Sequence, residues 1–211
     1  MADIVITHAK HFSKEAAKIL EDARHCVMPL DGDAIIVGQP VLWVRLERWG
    51  KKELDRCPNL RILACNCTGL DHIDLDECAR RNIRVLSLRD CREAIQGISS
   101  TAELTIGLML ALLRNLPAAV QHTQRGGWDR YRFVGRELRG KNVNVVGLGR
   151  IGLQVAHILH AFGCKVGTCY GADVERDALL AEADIVIIHA DLNDTSRGMF
   201  DAERFAMMKP G

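Results

Sequence analysis

Apolar positions along the chain fall into two successive alternations of strand-like and helix-like runs. Residues 3–7 open the first as a short apolar stretch of the kind a sheet buries on both faces. Ser13 then stands as a helix cap, with Ala16, Ala17, Ile19, Leu20 and Ala23 recurring at helical spacing behind it. Further strand-like runs follow at 26–28, 34–37, 62–65 and 85–88, with a short helix over 74–81 between the last two. Strands that alternate with helices are joined by crossovers, so the pattern predicts a parallel sheet with helices on its faces.

A change of pattern near residue 100 marks a boundary, giving units of 1–99 and 100–211. Ser100-Thr101-Ala102-Glu103 has the form of a capping box and opens an apolar helix that runs to about Arg114. Pro117 suits the first turn of a second helix, which Gly126-Gly127 ends. A loop carrying Trp128, Tyr131 and Phe133 leads to strand-like runs at 143–146, 166–170 and 185–189. The connection over 171–184 is close to the minimum of ~10–12 residues for a crossover. A complete doubly wound sheet has about six strands in the order 3-2-1-4-5-6. Three are found, so the second unit reads as half a domain, with one edge of strand 143–146 expected to lie open.

Net charge is +1, which gives no global field for nucleic acid or an anionic membrane. Arg125, Arg130, Arg132, Arg136, Arg139 and Lys141 cluster, but Asp129 and Glu137 interrupt them, as in a solvated loop. The N-terminus lacks the basic and apolar regions of a signal peptide. The most apolar stretch, 106–113, is short for a membrane span. Eight cysteines lie scattered, mostly in apolar segments, as expected of reduced thiols in a cytoplasmic protein. Cys65, Cys67, His72 and Cys78 match none of the usual zinc spacings, so no metal is expected.

The chemistry concentrates in Asn142-Val143-Asn144-Val145-Val146-Gly147-Leu148-Gly149-Arg150-Ile151-Gly152. An apolar strand feeds G-x-G-x-x-G, and residues 153–162 continue with helical spacing. Gly147 permits a tight turn, Gly149 lets backbone approach a pyrophosphate, and Gly152 lets the helix pack close to the strand. The helix N-terminus offers free N–H groups to the phosphates. Dinucleotide binding is the expectation, although a structural βα turn has the same residues.

Several ordered motifs carry a resemblance to a known family. Pro58-Asn59-Leu60-Arg61-Ile62-Leu63 with Thr68-Gly69-Leu70-Asp71-His72-Ile73-Asp74, Thr101-Ala102-Glu103-Leu104 with Arg114, Glu137-Leu138-Arg139-Gly140-Lys141 with the glycines, Ala161-Phe162-Gly163, and 184–189 with Met208-Lys209-Pro210-Gly211 resemble the D-isomer-specific 2-hydroxyacid dehydrogenases. The resemblance implies an α/β protein: a flavodoxin-like substrate domain followed by an incomplete Rossmann-type dinucleotide-binding domain. It implies hydride transfer between NAD, with NADP left open, and a small 2-hydroxy or 2-keto acid, and a homodimer in the family's full-length form.

Residue by residue, the resemblance gives the acid carboxylate to the backbone of Thr68 and Gly69, where an ordinary turn would look the same. It gives the cofactor Gly147, Gly149, Arg150, Ile151, Gly152, Thr101 and His189, although Thr101 has the position of a simple helix-cap neighbour. His157 and His160 read as surface or packing residues. Tyr170 stands where the family has the acidic residue that holds the adenosine ribose, with Asp173 and Glu175 just beyond, and Asp191 stands where a proline is usual. The family's catalytic Arg and His–Glu pair would follow Gly211, so no catalytic residue is assigned within 1–211 and this stretch by itself is expected to be inactive. The alternative reading is a non-catalytic NAD-sensing or scaffold protein, like the corepressors of this fold.

Overall fold

The computed structural model describes residues 3–30, 38–169 and 174–210, and the chain divides into two units, Met1–Ile95 and Gln96–Gly211. The strand expected at 34–37 and the position of Tyr170 lie outside the described residues.

In the first unit β1 (Asp3–Thr7) leads through α1 (Lys14–Asp22) to β2 (Cys26–Leu30). Ser13 caps α1 as expected, its Oγ accepting from the Ala16 N–H at 3.3 Å. Of the predicted apolar face, Ala16, Ala17 and Leu20 are half-buried, while Ile19 and Ala23 are exposed. β3 (Val41–Val44), α2 (Lys51–Asp55), β4 (Ile62–Cys65), α3 (Leu75–Arg80), β5 (Arg84–Leu86) and α4 (Arg92–Ile95) follow. The last predicted strand ends early because the Ser87 hydroxyl accepts from the Arg89 N–H at 3.3 Å and turns the chain into a short 3-10 helix.

All strand pairs are parallel, in the order β2-β1-β3-β4-β5. This is the flavodoxin-like order, with the reversal of winding between β1 and β3. β3, which the sequence pattern left unmarked, runs through the middle of the sheet, and Leu42 and Val44 are fully buried in it. They pack with Val5, Leu54, Leu63, Trp49, Ile73 and Cys78 in one core. Four apolar residues directly after Pro40 suffice for a strand because both its neighbours are in place.

The second unit begins with α5 (Ser100–Leu113) and α6 (Leu116–Gln124). The capping box does not form at Ser100. Ser99 occupies the cap with helical backbone angles, and its hydroxyl is taken by the Glu103 carboxylate, so it caps no amide. The 22-residue stretch Arg92–Leu113 contains an 18-residue window with a mean hydropathy of 1.3, enough by length and composition for a membrane span. Its helix is broken at 96–99, however, and the 14 residues of α5 fall short of the ~20 that cross a bilayer.

β6 (Asn142–Val146), α7 (Arg150–Ala161), β7 (Lys165–Cys169), α8 (Val174–Glu182), β8 (Ile185–Ile188) and α9 (Ala202–Met207) complete the chain. The sheet order is β7-β6-β8, again parallel. This corrects the expectation that one edge of strand 143–146 lies open: β6 is paired on both sides, and the described edges belong to β7 and β8. Val143, Val145 and Val146 are at most 1% exposed, whereas β7 carries Lys165, Gly167 and Thr168 and tolerates an edge. The short connection through α8 therefore passes back across β6. Val143, Val145 and Ile187 pack with Val155 and Leu159 of α7 and with Ala102, Ile106 and Met109 of α5.

Candidate functional site

The winding of the second unit reverses at β6, since β7 lies on one side of it and β8 on the other. Ligands of open parallel sheets bind outside the carboxyl ends of the strands at such a reversal. The three motif glycines stand there and have different local requirements. Gly147 has φ +91°, and a Cβ on it would lie 2.5 Å from Ala190 N and 2.7 Å from His189 C. A Cβ on Gly152 would lie 2.0 Å from the Gly147 carbonyl oxygen. Both glycines are fixed by the protein itself: the first lets the turn pass under the end of β8, the second lets α7 start against that turn.

Gly149 is different. It caps α7 with extended backbone, φ −72° and ψ −169°, and nothing of the protein lies within 4 Å of its Cβ position. Its carbonyl accepts from the Leu153 N–H at 3.0 Å, closing the first helical bond. The amides of the turn before that, on Arg150, Ile151 and Gly152, precede the helical ladder and point out of its positive end. An open space over a glycine at free helix amides fits a phosphate group. The Ile151 side chain packs beside the unit's core, so its contribution at the mouth is its amide.

The Arg150 guanidinium donates to Ile98 O at 2.5 Å, and the Gln154 side-chain amide donates to Gln96 O at 3.1 Å. These two bonds tie the start of α7 to the segment that leads into α5. Thr101 lies exposed in the first turn of α5, and its carbonyl accepts from Thr105 Oγ1 at 2.8 Å. The same hydroxyl lies 3.5 Å from His189 Nε2. Since Thr105 spends its proton on Thr101 O, its oxygen faces the imidazole as an acceptor. His189 follows β8 directly, half-buried, and burial holds its pKa below the ordinary histidine value. The ring is therefore neutral at pH 7 and presents an uncharged face beside the glycine turn.

Thus Gly147, Gly149, Arg150, Ile151, Gly152, Thr101 and His189 gather at one end of one sheet. Thr105 and Gln154 belong to the same group although no motif marks them. Thr105 is reachable from the pattern, because residues four apart share a helix face with Thr101. Thr68 and Gly69 lie in the first unit, in the turn between β4 and α3. Gly69 is exposed, and among the described residues no backbone carbonyl accepts from either amide.

Known proteins resemble the chain along nearly all of its length. Residues 106–211 match the D-isomer specific 2-hydroxyacid dehydrogenase NAD binding domain. The chain is 32% identical to D-3-phosphoglycerate dehydrogenase of Methanocaldococcus jannaschii, over 99% of this chain and 42% of that protein. It is 30% identical to glyoxylate reductase of Thermofilum pendens, over 98% of this chain and 61% of that one. It therefore spans about half the length of these relatives. Among solved structures, TT0316 protein from Thermus thermophilus superposes with a TM-score of 0.84 at 26% identity, covering 99% of this chain and 71% of that one. With its glycine turn at the sheet reversal and its second half matched throughout, the chain belongs to the D-isomer-specific 2-hydroxyacid dehydrogenase family.

Proposed function

We propose that the chain supplies the nucleotide site and the acid-carboxylate loop of an NAD-dependent oxidoreductase acting on a small 2-hydroxy or 2-keto acid in the cytoplasm. The observation that carries the reading is the contrast among the glycines: Gly147 and Gly152 are closed in by backbone, while the space over Gly149 is open at the helix amides. Gly149 and the amides of Arg150, Ile151 and Gly152 would hold the pyrophosphate. Thr101 and neutral His189 would border the nicotinamide end, and Thr105 orients His189. The cofactor carries the hydride; the protein supplies position and charge. Thr68 and Gly69 would offer their amides to the carboxylate, since a turn of free N–H groups between strand and helix makes an anion site.

Titration with NADH and NADPH tests the reading. Tyr170, at the ribose position by resemblance, lacks the charge that repels a 2′-phosphate. Both cofactors are expected to bind within about tenfold of each other, or ~1.4 kcal/mol, and Tyr170→Asp should shift the preference toward NADH. Absence of NADH binding would remove the proposed function. A preference of several hundredfold in the parent would instead remove only the assignment of Tyr170.

A second copy of the chain is the proposed partner of α5. This helix is apolar on more than its buried face: Ala102, Ile106 and Met109 are buried, yet Leu104, Leu108 and Leu112 are 61, 62 and 80% exposed. Their spacing of four makes one stripe, and Leu116 and Val120 extend the exposed apolar surface onto α6. Light scattering behind size-exclusion chromatography should report a dimer for the parent and a monomer for Leu108→Glu. A monomeric parent rejects the assignment.

A further inference from the structure

We propose that Cys65, Cys67 and His72 form a soft-metal site that takes Zn2+ through two thiolates and one imidazole, leaving a fourth position open. The two sulfur atoms and an imidazole nitrogen all lie within 4.8 Å of one another. Zinc–ligand bonds of about 2.0–2.3 Å in tetrahedral array place such atoms roughly 3.5–3.8 Å apart. Side-chain movement of roughly an ångström therefore closes the site.

The ligands come from the end of β4 and the loop that follows it, and each has its own anchor. Cys65 ends β4 and is 4% exposed. Cys67 is anchored twice: its carbonyl accepts from the Leu88 N–H at 3.1 Å, and its Sγ lies 3.6 Å from the Arg45 carbonyl. His72 is fixed through its backbone, whose carbonyl accepts from the Trp49 N–H at 2.8 Å, while the Asp74 N–H donates to Trp49 O at 2.9 Å. That bridge between the loop before α2 and the turn before α3 carries His72 back to the cysteines. A C-x-C-x4-H spacing with this return is unlike any zinc finger, so motif spacing does not reveal it.

A second observation points to a ligand. His72 Nε2 is buried and has no hydrogen-bond partner. Seven buried side-chain atoms lack a partner among the described residues, and His72 is the one whose residue stands in the cluster with the two thiols; an ion is one explanation for such an atom. Cys78, the remaining cysteine of the sequence cluster, is 1% exposed in the core that also holds Cys65, and it is not among the three grouped ligand residues. Two thiolates and an imidazole are soft and borderline donors, which select Zn2+ over Mg2+ or Ca2+. A metal here would clamp both ends of the loop 68–71; the site itself stands whether or not that loop holds an acid.

The whole 211-residue chain, kept reduced with a phosphine and freed of metal, is titrated with Co2+ as a spectroscopic stand-in and then with Zn2+. One Co2+ per chain is expected, with the thiolate-to-cobalt band and tetrahedral visible bands, both erased by Zn2+. Cys67→Ser and His72→Gln should each weaken Co2+ binding at least tenfold. Cys26→Ser and Cys91→Ser, which remove exposed thiols of the same unit, should leave it unchanged. Zn2+ should also raise the thermal midpoint of the parent and not that of His72→Gln. A parent without the thiolate band, or affinity unchanged in both ligand variants, or affinity lost with the exposed thiols, overturns the site. Should a ligand variant fold poorly, the band, stoichiometry and thermal shift of the parent still decide it.

Discussion

Gly149→Val should weaken NADH binding about hundredfold, or ~2.8 kcal/mol, while the fold survives. The backbone of Gly149 is extended, with φ −72° and ψ −169°, a conformation open to any L-residue. A Cβ there meets no atom of the protein within 4 Å. Valine is a poorer helix cap than glycine, which sets the stability cost at roughly 1 kcal/mol. The two added methyl groups project into the space in front of the α7 amides, where the pyrophosphate would make its closest approach to backbone. Calorimetric titration would read the affinity, and circular dichroism with a thermal scan would read the fold. Equal affinity in variant and parent would mean that the nucleotide does not cross this turn.

The local pattern of the chain carried much of this. The strand–glycine–helix order around Gly147 was legible because strand period, turn residues and helix period are all properties of adjacent positions. Sheet order was not, because it depends on pairing between strands that are far apart along the chain. β6 was expected to have an open edge and is paired on both, with Val143, Val145 and Val146 at most 1% exposed. The four apolar residues of β3 have no readable period, yet the strand lies mid-sheet. At α5 the cap lies one residue early, on Ser99, whose hydroxyl bonds the Glu103 carboxylate and caps no amide. The meeting of His72 with Cys65 and Cys67 depends on a bridge to Trp49, 23 positions before the histidine, and no motif spacing encodes that.

Gly147→Ala and Gly152→Ala should do what the Gly149 substitution does not, and unfold the second unit at much lower temperature. At Gly147 the cost has two parts. A side chain at φ +91° pays the left-handed penalty of roughly 1–2 kcal/mol. The added Cβ also lands 2.5 Å from Ala190 N and 2.7 Å from Ala190 Cα and His189 C. These are backbone atoms, and they cannot easily retreat, because the His189 N–H is bonded to Val146 O at 2.7 Å. At Gly152 the backbone is helical and costs nothing, but the Cβ would sit 2.0 Å from the Gly147 oxygen, so α7 must lift off the turn. Lifting it withdraws Val155 and Leu159, both fully buried, from Val143 and Val145. Each substitution is expected to cost about 3 kcal/mol or more, against a total of ~5–15 kcal/mol for a typical domain. For a unit spanning residues 96–211 that corresponds to a fall in Tm of roughly 10 °C or more. The two changes press on one turn, so a displacement that relieves the first also makes room for the second. The double variant should lose less than the sum of the singles. Thermal unfolding of the three variants beside Gly149→Ala reads all of this. A Gly152→Ala protein that melts with the parent would mean that α7 stands away from the turn, and the close packing on which the phosphate site depends would have to be abandoned.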